Sequence, residues 1–203
     1  MTKRSGKKQK KIINLISNFF IIFAVLLLYL IFAPVVGQEA KYQIQKTKRN
    51  VELTPPNYEF SIVIPKIEAV APVFENTDPF NEKEFLPVLR EGVAHAKGSA
   101  LPGQSGNVYI FAHSTDAFYN VGRYNAVFYL IGKLEEGDEI YIYYKGDRLT
   151  YKVYDKKVVA ADDIKYLNKL SDKNTLTLQT CYPPGTTLKR LVVLAEEASS
   201  VPD

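Results

Sequence analysis

Apolar residues follow two different patterns along the chain. The stretch 12–38 contains no charged residue and is apolar almost without interruption from Phe19 to Ala33. From residue 58 onward, apolar residues form short runs separated by turn-forming Gly, Pro, Asn and Asp. A long continuous run is typical of a membrane-spanning helix, whereas short β-branched or alternating runs are typical of strands. The pattern therefore predicts one helix followed by a mainly β domain.

The helix is long enough to cross a membrane. About 25 helical residues extend roughly 37 Å, more than the ~30 Å of a hydrocarbon core. Basic residues flank it on the N-terminal side only, and they are Lys3, Arg4, Lys7, Lys8, Lys10 and Lys11. Because positive flanks stay inside, we predict a cytoplasmic basic tail at 1–11, a transmembrane signal anchor at 12–38, and a cell-membrane protein whose remainder is extracytoplasmic.

A cleaved signal peptide is the alternative interpretation of this segment. Its apolar region is normally only about 7–15 residues long and ends in a small-x-small cleavage site. Ala33-Pro34-Val35 is a poor version of that site. The sequence therefore favours an uncleaved anchor that contacts membrane lipid.

The rest of the chain is organised as a stalk and one domain. Residues 39–57 are polar and end in Pro55-Pro56, as a semi-rigid linker does. The remaining 58–203 has the length of a single domain. Without the six N-terminal cations, the chain has 20 basic against 22 acidic residues, so its charge gives no reason to expect nucleic-acid binding.

Short strands dominate the predicted domain. A turn at 145–148 between two strands indicates a β-hairpin, and 81–91 is a plausible short helix despite Pro87. Prolines interrupt the first two strands, which suggests edges or bends. We also expect partly helical structure in 114–134 and 162–170. Seven or eight strands with few short helices predict a β-barrel or sandwich, and the predicted strands are 60–64, 69–74, 107–113, 139–144, 149–159, 175–180 and 189–195.

Three residues on these strands could form one catalytic group. His113 ends one strand, Cys181 follows another, and Arg190 begins the last. The loop between Cys181 and Arg190 contains Pro183, Pro184 and Gly185. If the flanking strands pair in antiparallel fashion, the thiol and the guanidinium can reach one carbonyl, because adjacent strands lie about 4.8 Å apart.

The chemistry of the three residues suits a cysteine nucleophile. A thiolate attacks, a nearby cation favours the thiolate, histidine transfers protons, and arginine stabilises an oxyanion. Taken singly, each residue has a structural alternative: a buried Cys, a structural His and a solvated Arg. With two histidines and one cysteine, we expect no disulfide, metal site or cofactor.

At these positions the chain resembles the sortase family of bacterial cysteine transpeptidases. The resemblance extends from about residue 58 to 197 and includes the N-terminal anchor. Its strongest part is Thr177-Leu-Gln-Thr-Cys181, similar to the family's Thr-Leu-x-Thr-Cys signature. The other matching segments are Gly106 to His113, Arg190-Leu191-Val192, Ile64 to Ile67, Gly92 to His95, and Leu101 to Gly103.

The resemblance implies a closed sortase-type β-barrel and a reaction in two halves. Cys181 would attack the Thr–Gly bond of an LPXTG-like sorting signal, and the acyl group would pass to an amine of a cell-wall precursor or a pilin lysine. His113 would be the general acid and base, Arg190 would hold the substrate and its oxyanion, and Thr180 would add a contact near the oxyanion.

Some positions depart from the family pattern. Ala112 precedes His113 where many members have Gly. Asp78-Pro79-Phe80 is similar to the lid motif of pilin-building sortases, but it follows the first predicted strand, so we interpret it as a turn. His95 is the rival histidine; the family has a His here without making it catalytic. No acidic calcium site is evident.

Two other functions stay open. One is a cell-wall cysteine peptidase that hydrolyses its substrate, although many such enzymes have Cys before His in the chain. The other is a non-catalytic, membrane-tethered binding module in which Cys181 is inert. Transfer to an amine distinguishes the first, and thiol labelling the second.

Overall fold

The computed structural model describes residues 14, 16, 18–26, 53–114, 127–167 and 172–198. The chain divides into two compact units, Met1–Arg49 and Asn50–Asp203. In the first unit, residues 18–26 are helical. Among the described residues, no helix combines the length and apolar character that crossing a bilayer requires. Most of the predicted anchor at 12–38 and all of the tail at 1–11 lie outside the described residues, so the anchor stays a prediction.

The second unit contains eight strands and one α-helix within the described ranges. Two short 3-10 helices, Pro65–Ile67 and Tyr129–Lys133, connect strands. The α-helix α1 spans Glu82–Glu91. The strands are β1 Phe60–Ile64, β2 Ala69–Thr77, β3 Val93–Ala96, β4 Gly106–Phe111, β5 Glu139–Tyr144, β6 Asp147–Ala160, β7 Asn174–Tyr182 and β8 Lys189–Glu197.

The strands close into a barrel in the order β1-β2-β3-β4-β7-β8-β6-β5, with β5 pairing back to β1. Most neighbours are antiparallel, but β2 with β3 and β4 with β7 are parallel. The predicted closed barrel of seven or eight strands is therefore confirmed. The parallel β4–β7 pair matters most for function, because the carboxyl ends of both strands lie at the same end of the barrel.

The prediction of edges or bends in the first two strands is wrong for an edge at β1, whereas β2 changes its pairing partner along its length. β1 pairs with β2 on one side and β5 on the other. In β2, Ala69–Pro72 pairs with β1, and pairing with β3 begins at Val73. Pro72, which has no N–H, thus lies where β2 passes from one partner to the other.

The hairpin between β5 and β6 is confirmed, with a shorter turn than the predicted 145–148. Tyr144 pairs with Asp147, so only Lys145 and Gly146 form the turn. Both have positive φ, 51° and 94°. Two positive φ values in a two-residue loop match the right-handed twist of the flanking strands.

The predicted helix and the turn before it are also present. α1 contains Pro87, as expected. Before it, the Asp78 carboxylate accepts from the Phe80 N–H at 2.9 Å, and the Glu84 carboxylate accepts from the Asp78 N–H at 2.8 Å. Asp78-Pro79-Phe80 is therefore a turn directly before the helix, as predicted, and the Asp78 and Glu84 carboxylates stabilise it.

The side chains of β7 point alternately to the inner and the outer face of the barrel. By the two-residue period of a strand, Leu176, Leu178 and Thr180 share the inner face. These leucines are fully buried, as is Val193 of β8. The outer face of β7 carries Thr175, Thr177, Gln179 and Cys181, and the candidate active site lies on this face.

Candidate active site

Cys181 and Arg190 lie directly opposite each other on neighbouring strands. They are Cα partners in the antiparallel β7–β8 pair. Opposite residues in such a pair point to the same face, with Cβ atoms about 4.5–5.5 Å apart. Cys181, expected just after a strand, is within β7, and its free thiol is half-buried. The strand pairing thus brings a nucleophile and a cation together.

His113 lies beside Cys181 on the other side of β7. β4 is parallel to β7, with Phe111 opposite Gln179. The pairing continues beyond β4, because the Ala112 N–H donates to the Gln179 carbonyl at 3.1 Å. Extending this register by two residues from Phe111 brings half-buried His113 level with Cys181. By this extended register, the three residues predicted from the sequence lie side by side, with His113 just beyond the end of β4, Cys181 on β7 and Arg190 on β8.

Thr180 holds the ends of β4 and β7 together. Its side chain is only 3% exposed and faces inward, away from Cys181. The hydroxyl donates to the Ala112 carbonyl at 2.9 Å. Because this donor is already used and buried, the geometry does not support the predicted substrate contact of Thr180. It supports a positioning role, since the bond lies between the residues preceding Cys181 and His113.

Arg190 is held by its own loop. Nη1 donates to the carbonyls of Thr187 at 3.0 Å and Lys189 at 3.1 Å. The loop itself turns at Pro183, whose carbonyl accepts from the Thr186 N–H at 3.0 Å. A guanidinium has five N–H donors in a planar fork. The loop therefore restrains the arginine while other donors remain for an oxyanion.

A buried tyrosine and a half-buried glutamine form a hydrogen-bonded pair on the same face. The Tyr109 hydroxyl donates to the Gln179 Oε1 atom. Burial raises the pKa of Tyr109 well above its ordinary value, while the positive charge of Arg190 acts in the opposite direction. Tyr109 thus stays a neutral hydrogen-bond donor on the face that carries Cys181. The sequence reasoning missed this pair; its signal was the polar Gln179 on the same alternating face as Cys181.

The connection between β6 and β7 is anchored onto this outer face through Asn107. The Asn107 amide donates to the Tyr166 carbonyl at 3.0 Å. Its Oδ1 accepts from the hydroxyls of Thr175 at 3.1 Å and Thr177 at 3.0 Å. Asn107 and both threonines are buried. The network ties the β6–β7 connection to the first residues of β4 and β7, the two strands whose other ends lead to His113 and Cys181.

His95 has a structural role. It is fully buried on β3, and its Nδ1 accepts from the Asn76 N–H at 3.3 Å. Nε2 then carries the proton and donates to the Ala100 carbonyl at 3.0 Å, with Ser99 Oγ also at 2.9 Å. Burial lowers the pKa of His95 below its ordinary value. These contacts support the choice of His113 over His95 as the reactive histidine.

A family model describes residues 62–198 of the chain as a Sortase domain. The chain belongs to the sortase family. Members of this family are cysteine transpeptidases, so the protein is an enzyme of that class. Sortase D of Bacillus subtilis is 27% identical over 171 residues, covering 82% of this chain and 78% of that protein.

Solved sortases have the same fold. Sortase A from Corynebacterium diphtheriae superposes with a TM-score of 0.60 at 33% identity, and the match covers 72% of this chain and 63% of that one. The Clostridium perfringens Sortase D5 transpeptidase gives a TM-score of 0.57 at 28% identity, with coverage of 79% and 88%. Within the described ranges, no group of three or more His, Cys, Asp or Glu is arranged to hold a metal ion.

Proposed function

We propose that this sortase is a membrane-anchored enzyme that cleaves an LPXTG-like sorting signal and joins it to an amine of a cell-wall precursor or a pilin. The observation that carries the proposal is the shared register of three strands. Cys181 is opposite Arg190 and level with His113. A nucleophile between a proton carrier and a fixed cation is the arrangement that acyl transfer requires.

In the first half-reaction, the Cys181 thiolate attacks the carbonyl carbon of the Thr–Gly bond. The oxyanion that develops accepts hydrogen bonds from the positively charged guanidinium of Arg190. The C–N bond then breaks as protonated His113 gives a proton to the leaving glycine amine. The products are a thioacyl enzyme and the released C-terminal peptide.

In the second half-reaction, an amine attacks the thioester carbonyl. Neutral His113 takes a proton from the attacking amine, a new amide bond forms, and the C–S bond breaks to regenerate the thiolate. Thr180 keeps His113 and Cys181 in register during both halves through its bond to Ala112. We infer that the signal anchor at 12–38 holds the enzyme in the cell membrane, with the barrel outside.

The test uses the full-length chain in detergent with a set of sorting peptides and an amine. Intact-mass spectrometry reads the acyl group retained on Cys181, and chromatography reads the amide product. Cys181→Ala and His113→Ala should abolish both signals. Arg190→Ala should reduce product by at least about 100-fold, as loss of an oxyanion donor does. Arg148→Ala, a cation stacked on Tyr141, is the matched control and should keep activity.

Each alternative gives a distinct result. Hydrolysis of the peptide with no amide product, at any amine concentration, favours the cell-wall hydrolase. A folded chain whose Cys181 neither becomes acylated nor reacts with an alkylating reagent favours the binding module. Either result overturns the transpeptidase proposal.

A further inference from the structure

One polar side chain on the outer face of β7 has an unused donor. Gln179 precedes Cys181 by two residues and shares its face, about 6.6 Å further along the strand. Its partners across the sheet, Phe111 and Val192, are buried and apolar. Gln179 itself is only half-buried. It is therefore a polar group that a molecule lying along this face would meet.

Tyr109 fixes the orientation of the Gln179 amide. The phenol donates to Oε1, so Nε2 points elsewhere. In the part of the chain that the structure describes, Nε2 has no hydrogen-bond acceptor, and it is not among the unpaired polar atoms sealed from solvent. Tyr109 is 3% exposed, so its ring is held on all sides. The buried tyrosine thus presents an oriented N–H donor to solvent.

This donor and the candidate catalytic residues belong to one surface. Gln179 and Cys181 share the outer face of β7, and Arg190 lies opposite Cys181 on β8. A peptide whose scissile carbonyl lies over Cys181 advances about 3.3 Å per residue when extended. Gln179 is therefore within reach of an atom one or two residues from the scissile bond. A carbonyl oxygen is the acceptor that every peptide residue offers there.

We propose that Gln179 is a substrate-positioning residue. Its Nε2 donates a hydrogen bond to a backbone carbonyl of the bound peptide, and Tyr109 keeps the amide in that orientation. The bond is made to the peptide backbone and therefore does not depend on the side chains of the sorting signal. The inference rests on the proposed function, because the ligand is the peptide substrate of Cys181.

The test compares variants of the full-length chain in steady-state transpeptidation at a fixed amine concentration. Gln179→Leu should raise KM for the peptide about 3- to 10-fold, the effect of one hydrogen bond, with little change in kcat because the bond is present before and during the reaction. Tyr109→Phe, which frees the amide to rotate, should raise KM by a smaller factor. Tyr141→Phe removes another tyrosine hydrogen bond, to the Glu139 carboxylate, and should leave both constants unchanged.

A second readout changes the peptide as well as the enzyme. Peptides that carry an ester in place of one backbone amide contain a weaker carbonyl acceptor at that position. With the wild-type enzyme, one such position on the retained side of the scissile bond should raise KM several-fold. With Gln179→Leu, the same peptide should lose that penalty.

The outcomes separate the two proposals. An active wild-type enzyme with no ester-sensitive position, or Gln179→Leu with the wild-type KM, overturns the positioning role alone. A fall in kcat at constant KM overturns it too, since this would indicate an effect on Cys181 and not on peptide binding. A wild-type chain that forms no thioacyl enzyme overturns the proposed function and this inference with it.

Discussion

Replacing Thr180 with Val tests whether one buried hydrogen bond sets the distance between two reactive groups. The hydroxyl of Thr180 donates to the Ala112 carbonyl at 2.9 Å and joins β7 to the end of β4. Valine has the same shape but no donor, so the substitution leaves a buried carbonyl oxygen without this partner. Such a loss costs about 1–3 kcal/mol of unfolding free energy. For a domain of this size, each kcal/mol lowers Tm by about 2–4 °C.

The effect on activity should exceed the effect on the folded fraction. Ala112 precedes His113, and Thr180 precedes Cys181, so loss of the bond loosens the register between imidazole and thiol. A misplacement of about 1 Å in a reacting group can reduce the rate about 100-fold. We therefore expect kcat to fall at a temperature where the variant is still fully folded, with KM for the peptide nearly unchanged.

The assay combines denaturant unfolding with steady-state transpeptidation below the transition. Thr180→Ser keeps the hydroxyl and loses one methyl group, so it is the matched control and should retain most of the activity. A Thr180→Val enzyme with wild-type kcat would refute the positioning role, even if it were less stable. Equal losses of kcat in the Ser and Val variants would attribute the effect to packing.

Two further predictions concern stability. Gly92→Ala should lower the unfolding free energy by about 1–3 kcal/mol, as overpacking does, because a Cβ there would lie 2.4 Å from the Pro72 carbonyl oxygen. Gly132→Ala, whose Cβ would meet only the end of the Leu191 side chain at 3.3 Å, should cost less, and melting curves of both variants check this. Burial lowers the pKa of His95 in the folded state below its ordinary value of 6.5. The unfolded chain therefore binds the proton more readily than the folded chain. The unfolding free energy should be highest above pH 6.5 and should decrease as the pH falls below that value. His95→Gln should flatten that decrease between about pH 7 and 5 in denaturant titrations, relative to wild type; parallel curves would refute the assignment.

The sequence predicts local structure well where turn chemistry and alternation agree. The β5 strand at Glu139–Tyr144 matches the prediction residue for residue, and β7 and β8 differ only at their ends. The loop that contains Pro183 and Gly185 made antiparallel neighbours of the strands on either side, so the juxtaposition of Cys181 and Arg190 follows from geometry alone. The predicted helical turns in 162–170 lie partly outside the described residues, as does most of 114–134.

Contacts between distant segments are harder to predict. Tyr109 and Gln179 are separated by 70 residues, and so are Asn107 and Thr177. The hydrophobic periodicity of a sequence does not indicate which distant strands pair. Parallel strands are joined by a long crossover, and the length of that crossover does not specify the partner strand. The edge prediction for β1 was wrong for a related reason. A proline shows that one backbone N–H donor is missing from a strand, but only the closure of the barrel decides whether a neighbouring strand needs that donor.

The parallel pairing of β4 with β7 explains how the barrel places candidate catalytic residues side by side although they are far apart in the chain. In a parallel pair both strands end at the same edge, so side chains just beyond two carboxyl ends become neighbours without any loop joining them. His113 and Cys181 are neighbours in this way, and the antiparallel β8 adds the start of a third strand, with Arg190. The order of strands β4-β7-β8 is therefore the structural basis of the site. Any substitution that shifts the β4–β7 register by two residues should separate the imidazole from the thiol while leaving Cys181 and Arg190 paired.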